Sequence, residues 1–436
     1  MSSAQRLPKK LVIYFRHIRN SYWFIPSIMT CFAGLLAFLS LLVDYSDSLK
    51  VLPNWTYLFS GGTDGARDVV GVVAGSIITV AGVTFSISIV ILSLAAQQYG
   101  SRLLRNFTRD RALHFIIGTF ISTFVYCLVI LPSVHSGNDS GRPEFIPRFS
   151  VMICILLAIF CVFALIYFIH HVSLTIQASF LSFSTNIELV GTLKDLYPEE
   201  SQPVDSRSRD VLTLFTDAAA LPTRTRQKIC LRTMTSGYFQ AIDLTRLIDL
   251  AEGHDIIISI IMKIGKYAVV GDEMLVIIHA TELTEKFKAK IQDCFTLGQQ
   301  RTMDQDPGFG FDMLVEMAIR ALSPGINDPF TAIQCIDYLR DGLQILTQRP
   351  RVRGEYLDSK GTLRVVFPQL TFHEALERAI PVIGYYGRKS PDVLRHLIDM
   401  LGKLAHNTHN GSDKLTVKLA EKSVNQFLTI LETHPD

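Results

Sequence analysis

The sequence predicts a mainly α membrane protein: a four-helix transmembrane domain joined to an α+β cytoplasmic module with a small β-sandwich-like subdomain. Two observations carry this. The first is where the charges lie. Lys, Arg, Asp and Glu make up 19% of the 436 residues, below the roughly 25% usual for soluble chains. They are absent from Tyr22–Val43, Val69–Ala96, Ala112–Val134 and Phe149–Ile169, and each stretch has the roughly 20 apolar residues that a spanning helix needs. The second is a change of pattern beyond His170, where charges return and β-branched runs alternate with helical periodicity.

The spans come first in the chain. The run Tyr22–Val43 is too long for a signal-peptide core and is followed by more spans, so it reads as a retained first span. Orientation follows from Lys and Arg in the flanking loops. Arg6, Lys9, Lys10, Arg16 and Arg19 precede the first span, and Arg102, Arg105, Arg109 and Arg111 lie between the second and third. The two loops on the other side hold only Lys50, Arg67, Arg142 and Arg148. The expectation is a membrane protein with both termini cytoplasmic. The expected domains are a cytoplasmic N-terminal segment (1–21), the transmembrane domain (22–169), a helical extension and linker (170–226), a small β subdomain (227–283) and a mainly helical domain with a hairpin (284–436).

In the extension, Ile176, Phe180, Phe183, Ile187 and Val190 recur at alternating four and three residues, one stripe of a helix. The β subdomain is read from Ile256–Ile261, Tyr267–Val270 and Met274–His279, with a turn at Gly271-Asp272 and a short helix near Leu244–Leu250. Beyond it, helices at Phe311–Leu322 and Phe330–Leu346 are joined by Ser323–Pro329, where Asp328 is placed to cap and Pro329 to open the second helix. A hairpin near Arg351–Phe367 and three further helices complete the chain.

Several motifs together resemble an uncharacterised family of predicted bacterial inner-membrane proteins. They are Thr84-Phe85-Ser86 through Ser93-Leu94-Ala95, Arg102–Phe107 with Asp110-Arg111, Ser236–Asp243, Arg301-Thr302 with Gln305-Asp306, Phe309-Gly310, and Arg320–Pro329. The resemblance covers nearly the whole chain and implies four N-terminal membrane helices with a cytoplasmic C-terminal domain; it implies no activity. Ile264–Leu275 is also similar in cadence to the closing strands of lipoyl and biotinyl carrier domains. Met262-Lys263 stands in the wrong order for the modified lysine of such a carrier, so only a β-sandwich shape is expected from it.

The second span carries the most informative pattern. At 100° per residue, Gly71, Gly75, Thr79, Gly82, Ser86, Ser93, Gln97 and Gly100 lie within roughly 40° of one line over about 45 Å of helix. Ile89 interrupts the line, and the opposite side carries Val73, Val80 and Ile91, with Thr84 and Ser88 as exceptions. Two readings stay open. Small residues let helices approach closely in lipid, and small or hydroxylated residues also suit the wall of a water-filled pore, with Ile89 as an apolar constriction. Coupled transporters keep ionisable groups at membrane depth, whereas His114 is the one ionisable side chain in these spans, apart from tyrosines and cysteines. Passive conduction is therefore preferred, and four helices per chain require a homo-oligomer.

Elsewhere the candidates are weaker. Arg301, Asp304, Asp306, Arg320, Asn327 and Asp328 form a candidate ligand-binding group for a cation or nucleotide, or else cap helices and pair with one another. Arg102, Arg105, Arg109 and Arg111 are placed to meet anionic lipid. The pair His406 and His409 lacks the further ligands that zinc needs, and no metal or cofactor is expected. A formal charge of +2 gives no argument for nucleic acid. With no Walker loop, dinucleotide fingerprint, nucleophile elbow or HExxH, nothing asks for an enzyme. The expectation is an oligomeric pore for ions or small solutes, regulated by its cytoplasmic module. The alternative is a membrane-tethered sensor or scaffold that binds a partner, with a membrane enzyme third.

Overall fold

The computed structural model describes residues 23–46, 61–99, 110–136, 144–175, 178–199, 227–279, 283–350 and 354–433. The chain divides into two compact units, residues 1–177 and 178–436.

Among the described residues the first unit holds four helices long and apolar enough to cross a membrane: α1 (Phe24–Tyr45), α2 (Thr63–Tyr99), α3 (Arg111–Ile130) and α4 (Arg148–Thr175). Helix α3 packs against all three others. Its approach to α1 depends on Gly118, where an added Cβ would lie 2.6 Å from Met29 Sδ and 3.2 Å from Pro26 Cα. Two clusters fill the bundle. One joins Ala37, Val70, Ala74, Tyr126, Ile130 and Val151; the other joins Ile77, Ala81, Ile116, Phe120 and Phe168.

Polar groups close both ends of this bundle. Asp44, in the last turn of α1, accepts the backbone N–H groups of Phe149 and Ser150 at 3.0 Å each, satisfying two of the orphan donors that begin α4. The Ser150 hydroxyl lies 2.6 Å from the same carboxylate, and the fully buried Tyr126 hydroxyl donates to the Ser150 carbonyl at 3.0 Å. At the other end Asp110 caps α3 through Ala112 N–H (2.9 Å) and Leu113 N–H (3.4 Å), while its second oxygen meets His171 Nε2 at 2.6 Å.

The second unit opens with α5 (Ala178–Leu196). Its buried residues are Leu181, Ser182, Thr185, Asn186, Leu189, Thr192 and Leu193, while Phe183 and Ile187 are exposed. Of the apolar stripe read from the sequence, Phe183 and Ile187 thus lie off the face this unit buries and Val190 is half-buried, while Ile176 and the side chain of Phe180 lie outside the described residues. The small polar side chains on the neighbouring face are buried, because they find partners: Ser182 donates to Gln334 and Asn186 to Asp341. Of the expected linker, residues 200–226 lie outside the described residues.

Then follow β1 (Gln227–Arg232), β2 (Gly237–Ile242), α6 (Leu244–Gly253), β3 (Ile257–Ile260), β4 (Tyr267–Ala268), β5 (Glu273–His279), α7 (Glu285–Gln292) and β6 (Phe295–Gly298). The helices α8 (Pro307–Ala321) and α9 (Pro329–Gln348) precede a hairpin of β7 (Glu355–Leu357) and β8 (Leu363–Val366). Helices α10 (Phe372–Tyr386), α11 (Pro391–Asn407) and α12 (Gly411–Thr433) end the chain.

Two sheets share one core: β1-β5-β3-β8-β7, and β4-β2-β6. Segment 227–283 does not close on itself. Strand β8 pairs in parallel with β3, Ile258 opposite Val365, and Arg364 ties the hairpin down by donating to Asp255 (2.7 Å) and Asp358 (2.8 Å). The helices pack beside these sheets as a bundle, with α8 against α5, α9 and α10, and α12 against α10 and α11.

Asp328 caps α9 through Thr331 N–H at 3.1 Å, and residues 323–327 form a tight connection in which Asn327 N–H bonds the Ser323 carbonyl at 2.9 Å. Asp328→Ala should cost about 0.5–2 kcal/mol of stability, read as a lowered unfolding midpoint of the full chain. Gly118→Leu should separate α1 from α3 and lower that midpoint sharply. Gly75→Leu, where an added Cβ meets nothing within 4 Å, should leave the fold of the single chain intact.

Candidate functional site

The second span presents the first candidate. Its buried residues are Ala66, Val70, Ala74, Ile77, Ala81, Thr84 and Ser88, a stripe at spacings of three and four that packs on α3 and α4. The opposite arc carries Gly75, Thr79, Gly82, Ser86, Ile89 and Ser93, all exposed, with Gly71 half-exposed at one end. The side chain of Gln97 lies outside the described residues, as does Gly100. Added Cβ atoms at Gly71, Gly75 and Gly82 would meet nothing within 4 Å. Packing among the described residues therefore does not explain this face.

The hydroxyls on that face are satisfied by their own helix. Thr79 Oγ1 donates to the Gly75 carbonyl at 2.8 Å and Ser86 Oγ to the Gly82 carbonyl at 2.9 Å. Each hydroxyl oxygen keeps its lone pairs as acceptors. Thr84 and Ser88, exceptions on the far side by sequence, belong to the packing face; Ser88 is buried and donates to the Thr84 carbonyl at 2.7 Å. Val80 and Ile91 are half-buried.

The second candidate is the polar group of the C-terminal unit. The structure brings Arg301 and Asp306 together: the guanidinium donates to Asp306 Oδ2 through Nε at 2.9 Å and Nη2 at 2.8 Å, and to Asp312 at 2.6 Å through Nη1. Arg378 donates to the same Asp312 from α10, at 3.1 and 3.0 Å. Asp306 also caps α8 through Phe309 N–H at 3.1 Å. Burial pushes its carboxyl above the usual range, against the opposing pull of the Arg301 charge. The turn before β4 fits over this carboxylate because Gly265 stands at φ +82° and has no Cβ; one would lie 2.0 Å from Asp306 Oδ2.

The remaining candidates do not join them. Asp304 is exposed, and Arg320 donates to Glu316 at 3.2 Å one turn earlier on α8. Asn327 and Asp328 follow the far end of α8, about 22 Å from Asp306 along the helix. Beside Asp306 lies a cleft of about 340 Å³ that sequence reasoning did not find, bordered by Lys263, Lys266, Gln305, Glu374, Glu377 and Arg378 among others. Lys263 pairs with Glu374 there, and Gln305 reads both the N–H (2.9 Å) and the carbonyl (3.1 Å) of Ile242. These contacts span 63 and 111 residues of sequence, so no local motif announces them. Cys127 and Cys154 are another such meeting, their sulfurs 3.1 Å apart between α3 and α4.

Of the basic residues expected to meet lipid, Arg102, Arg105 and Arg109 and the side chain of Arg111 lie outside the described residues. His406 sits in the last turn of α11, and among the described residues no group of three His, Cys, Asp or Glu could hold a metal ion.

Four apolar helices followed by a helical and β unit define a multi-span membrane protein. Residues 19–403 match the family described as "Predicted membrane protein (DUF2254)", and the chain belongs to that family. It is 29% identical over 407 residues to uncharacterised proteins of Mycobacterium bovis and Mycobacterium tuberculosis, covering 92% of this chain and 75% of each relative. No solved structure matches it.

Arg301→Ala would leave Asp306 and Asp312 without their central cation and should cost about 3–5 kcal/mol of stability. The Lys263–Glu374 pair gives a pH signature. Burial raises the Glu374 carboxyl, but the Lys263 ammonium and the Thr371 N–H outweigh it and hold the group below its ordinary 4.5. A carboxylate depressed in the folded state contributes stability above its ordinary value and loses it as pH falls. Lys263→Met should therefore lower stability at neutral pH and flatten its loss as pH falls below about 4.5, the variant and the parent converging in acid.

Proposed function

We propose that this protein is a homo-oligomeric membrane pore for ions or small solutes, lined by the second span and regulated by its C-terminal unit in the cytoplasm. The observation that carries the reading is the uncovered face of α2. Gly75, Thr79, Gly82, Ser86, Ile89 and Ser93 face away from the side on which α2 packs among the described residues. Side chains this small and polar gain little from contact with lipid tails, whereas several copies turned about one axis would line a lumen with backbone and hydroxyl dipoles that replace part of a solute's hydration. Helix α2 has 37 residues, about 55 Å, so the face continues beyond the roughly 30 Å hydrocarbon layer. In the ring, Ile89 supplies an apolar constriction where dewetting could close the path.

The test is flux through purified protein reconstituted in vesicles. Ser86→Trp should block it. Ile87→Trp should not, because that position is exposed but turned 100° away. Cysteines at positions 79, 86 and 93 should react with water-soluble thiol reagents, and cysteines at 77 and 81, which are buried, should stay protected. Equal labelling of both sets, or no conductance under any voltage, tension or pH, would make the face a packing surface between copies.

A further inference from the structure

The helical bundle of the C-terminal unit has one end that presents aromatic and basic side chains outward. Helices α8 and α10 finish there and α9 and α11 begin there. A Cβ at Gly387, just past α10, would lie 3.8 Å from Leu322 Cδ1, just past α8. Helix α5 begins at the same end, because it runs beside α9 in the same direction. Ser182 bonds Gln334 at 3.3 Å, Asn186 bonds Asp341 at 3.0 Å, and Arg349 bonds the Lys194 carbonyl at 2.9 Å.

On this end Phe330 is 82% exposed, and Ile326, Tyr385 and Tyr386 are each about half exposed. The basic residues Arg388 and Lys389 are exposed beside them, the Arg388 guanidinium 4.3 Å from the centre of the Tyr385 ring. The loop that carries Ile326 is held in shape, since the N–H groups of both Ile326 and Asn327 bond the Ser323 carbonyl and Asn327 adopts φ +48°. Nearby acids are already engaged: Asp328 caps α9, and Asp392 and Glu432 pair with Arg395.

Covalent geometry says what lies opposite. Helix α4, the fourth span, ends at Thr175 and α5 begins at Ala178, so the two Cα atoms are within about 11 Å of one another. The end of the bundle at which α5 starts is therefore joined by a two-residue link to the last turn of the fourth span. We propose that it is a membrane-docking surface for anionic lipid. Phe330 and Ile326 enter the interfacial layer on the side where the fourth span ends, Tyr385 and Tyr386 sit at headgroup depth as interfacial aromatics do, and Arg388 and Lys389 meet the lipid phosphates. This surface is independent of whether α2 lines a pore.

The experiment uses the full chain with Trp23 and Trp55 replaced by Phe and one reporter, Phe330→Trp, reconstituted in phosphatidylethanolamine–phosphatidylglycerol vesicles with and without brominated acyl chains. Its emission should be blue-shifted and quenched by the brominated lipid. A Leu415→Trp reporter, exposed at the start of α12 and one length of α11 away, about 25 Å, should be neither. Adding Arg388→Glu and Lys389→Glu should reduce the quenching of the first reporter in these vesicles. Water-like emission without quenching at position 330 would overturn the proposal. So would a blue shift that brominated lipid leaves unquenched and that disappears on dilution with empty vesicles, because that outcome assigns the surface to a second copy of the chain.

Discussion

Hydrocarbon offers a backbone no hydrogen-bond partner, so every segment at membrane depth must satisfy itself as a helix and every helix end must be finished by something nearby. The first unit is arranged around that constraint. Asp44 reaches from the end of α1 to the first N–H groups of α4, and Asp110 does the same locally for α3 while holding His171. Carboxylates, costly in lipid, thus occur where helix termini leave donors exposed. Between those ends the spans contain side chains chosen for shape, with Gly118 permitting the closest approach of α3 to α1.

The same economy leaves α2 asymmetric. One face packs on α3 and α4 through alanine, valine and isoleucine, and the other carries a line of glycines and hydroxyls, flanked by exposed Val83, Phe85 and Val90, that none of the described residues covers. In water an uncovered polar face needs no explanation. In lipid it does, because small polar residues neither fill the tail region nor gain from it, a mismatch that the proposed assembly of copies would resolve.

Much of this was legible in the sequence, and the exceptions share a cause. The spans, the strand runs near residues 257–260 and 273–279 and the cap at Asp328 follow from charge exclusion, β-branching and turn chemistry, which are local. The face that α5 buries was not legible, because Ser182 and Asn186 are buried only by virtue of Gln334 and Asp341 on a distant helix. The candidate ligand group was half legible. Arg301 and Asp306 meet, but their third and fourth members, Asp312 and Arg378, carry no motif, while Arg320, Asn327 and Asp328 were grouped with them only by nearness in sequence. The Asp306 cleft was invisible for the same reason: its walls come from four separate stretches of chain.

The parallel pairing of β8 with β3 has a consequence for how the chain comes to be folded. About a hundred residues separate the two strands, and α8 and α9 lie between them. During synthesis the inner edge of β3, with its isoleucines, stays open until both helices have emerged, and an open apolar edge is a template for pairing with another chain. Loop closure over that distance is slow compared with the local hairpins. The β subdomain is thus sealed only after α8 and α9 have been made, although most of its strands come first. A chain ending anywhere before Val366 would carry an unfinished sheet rather than a smaller domain.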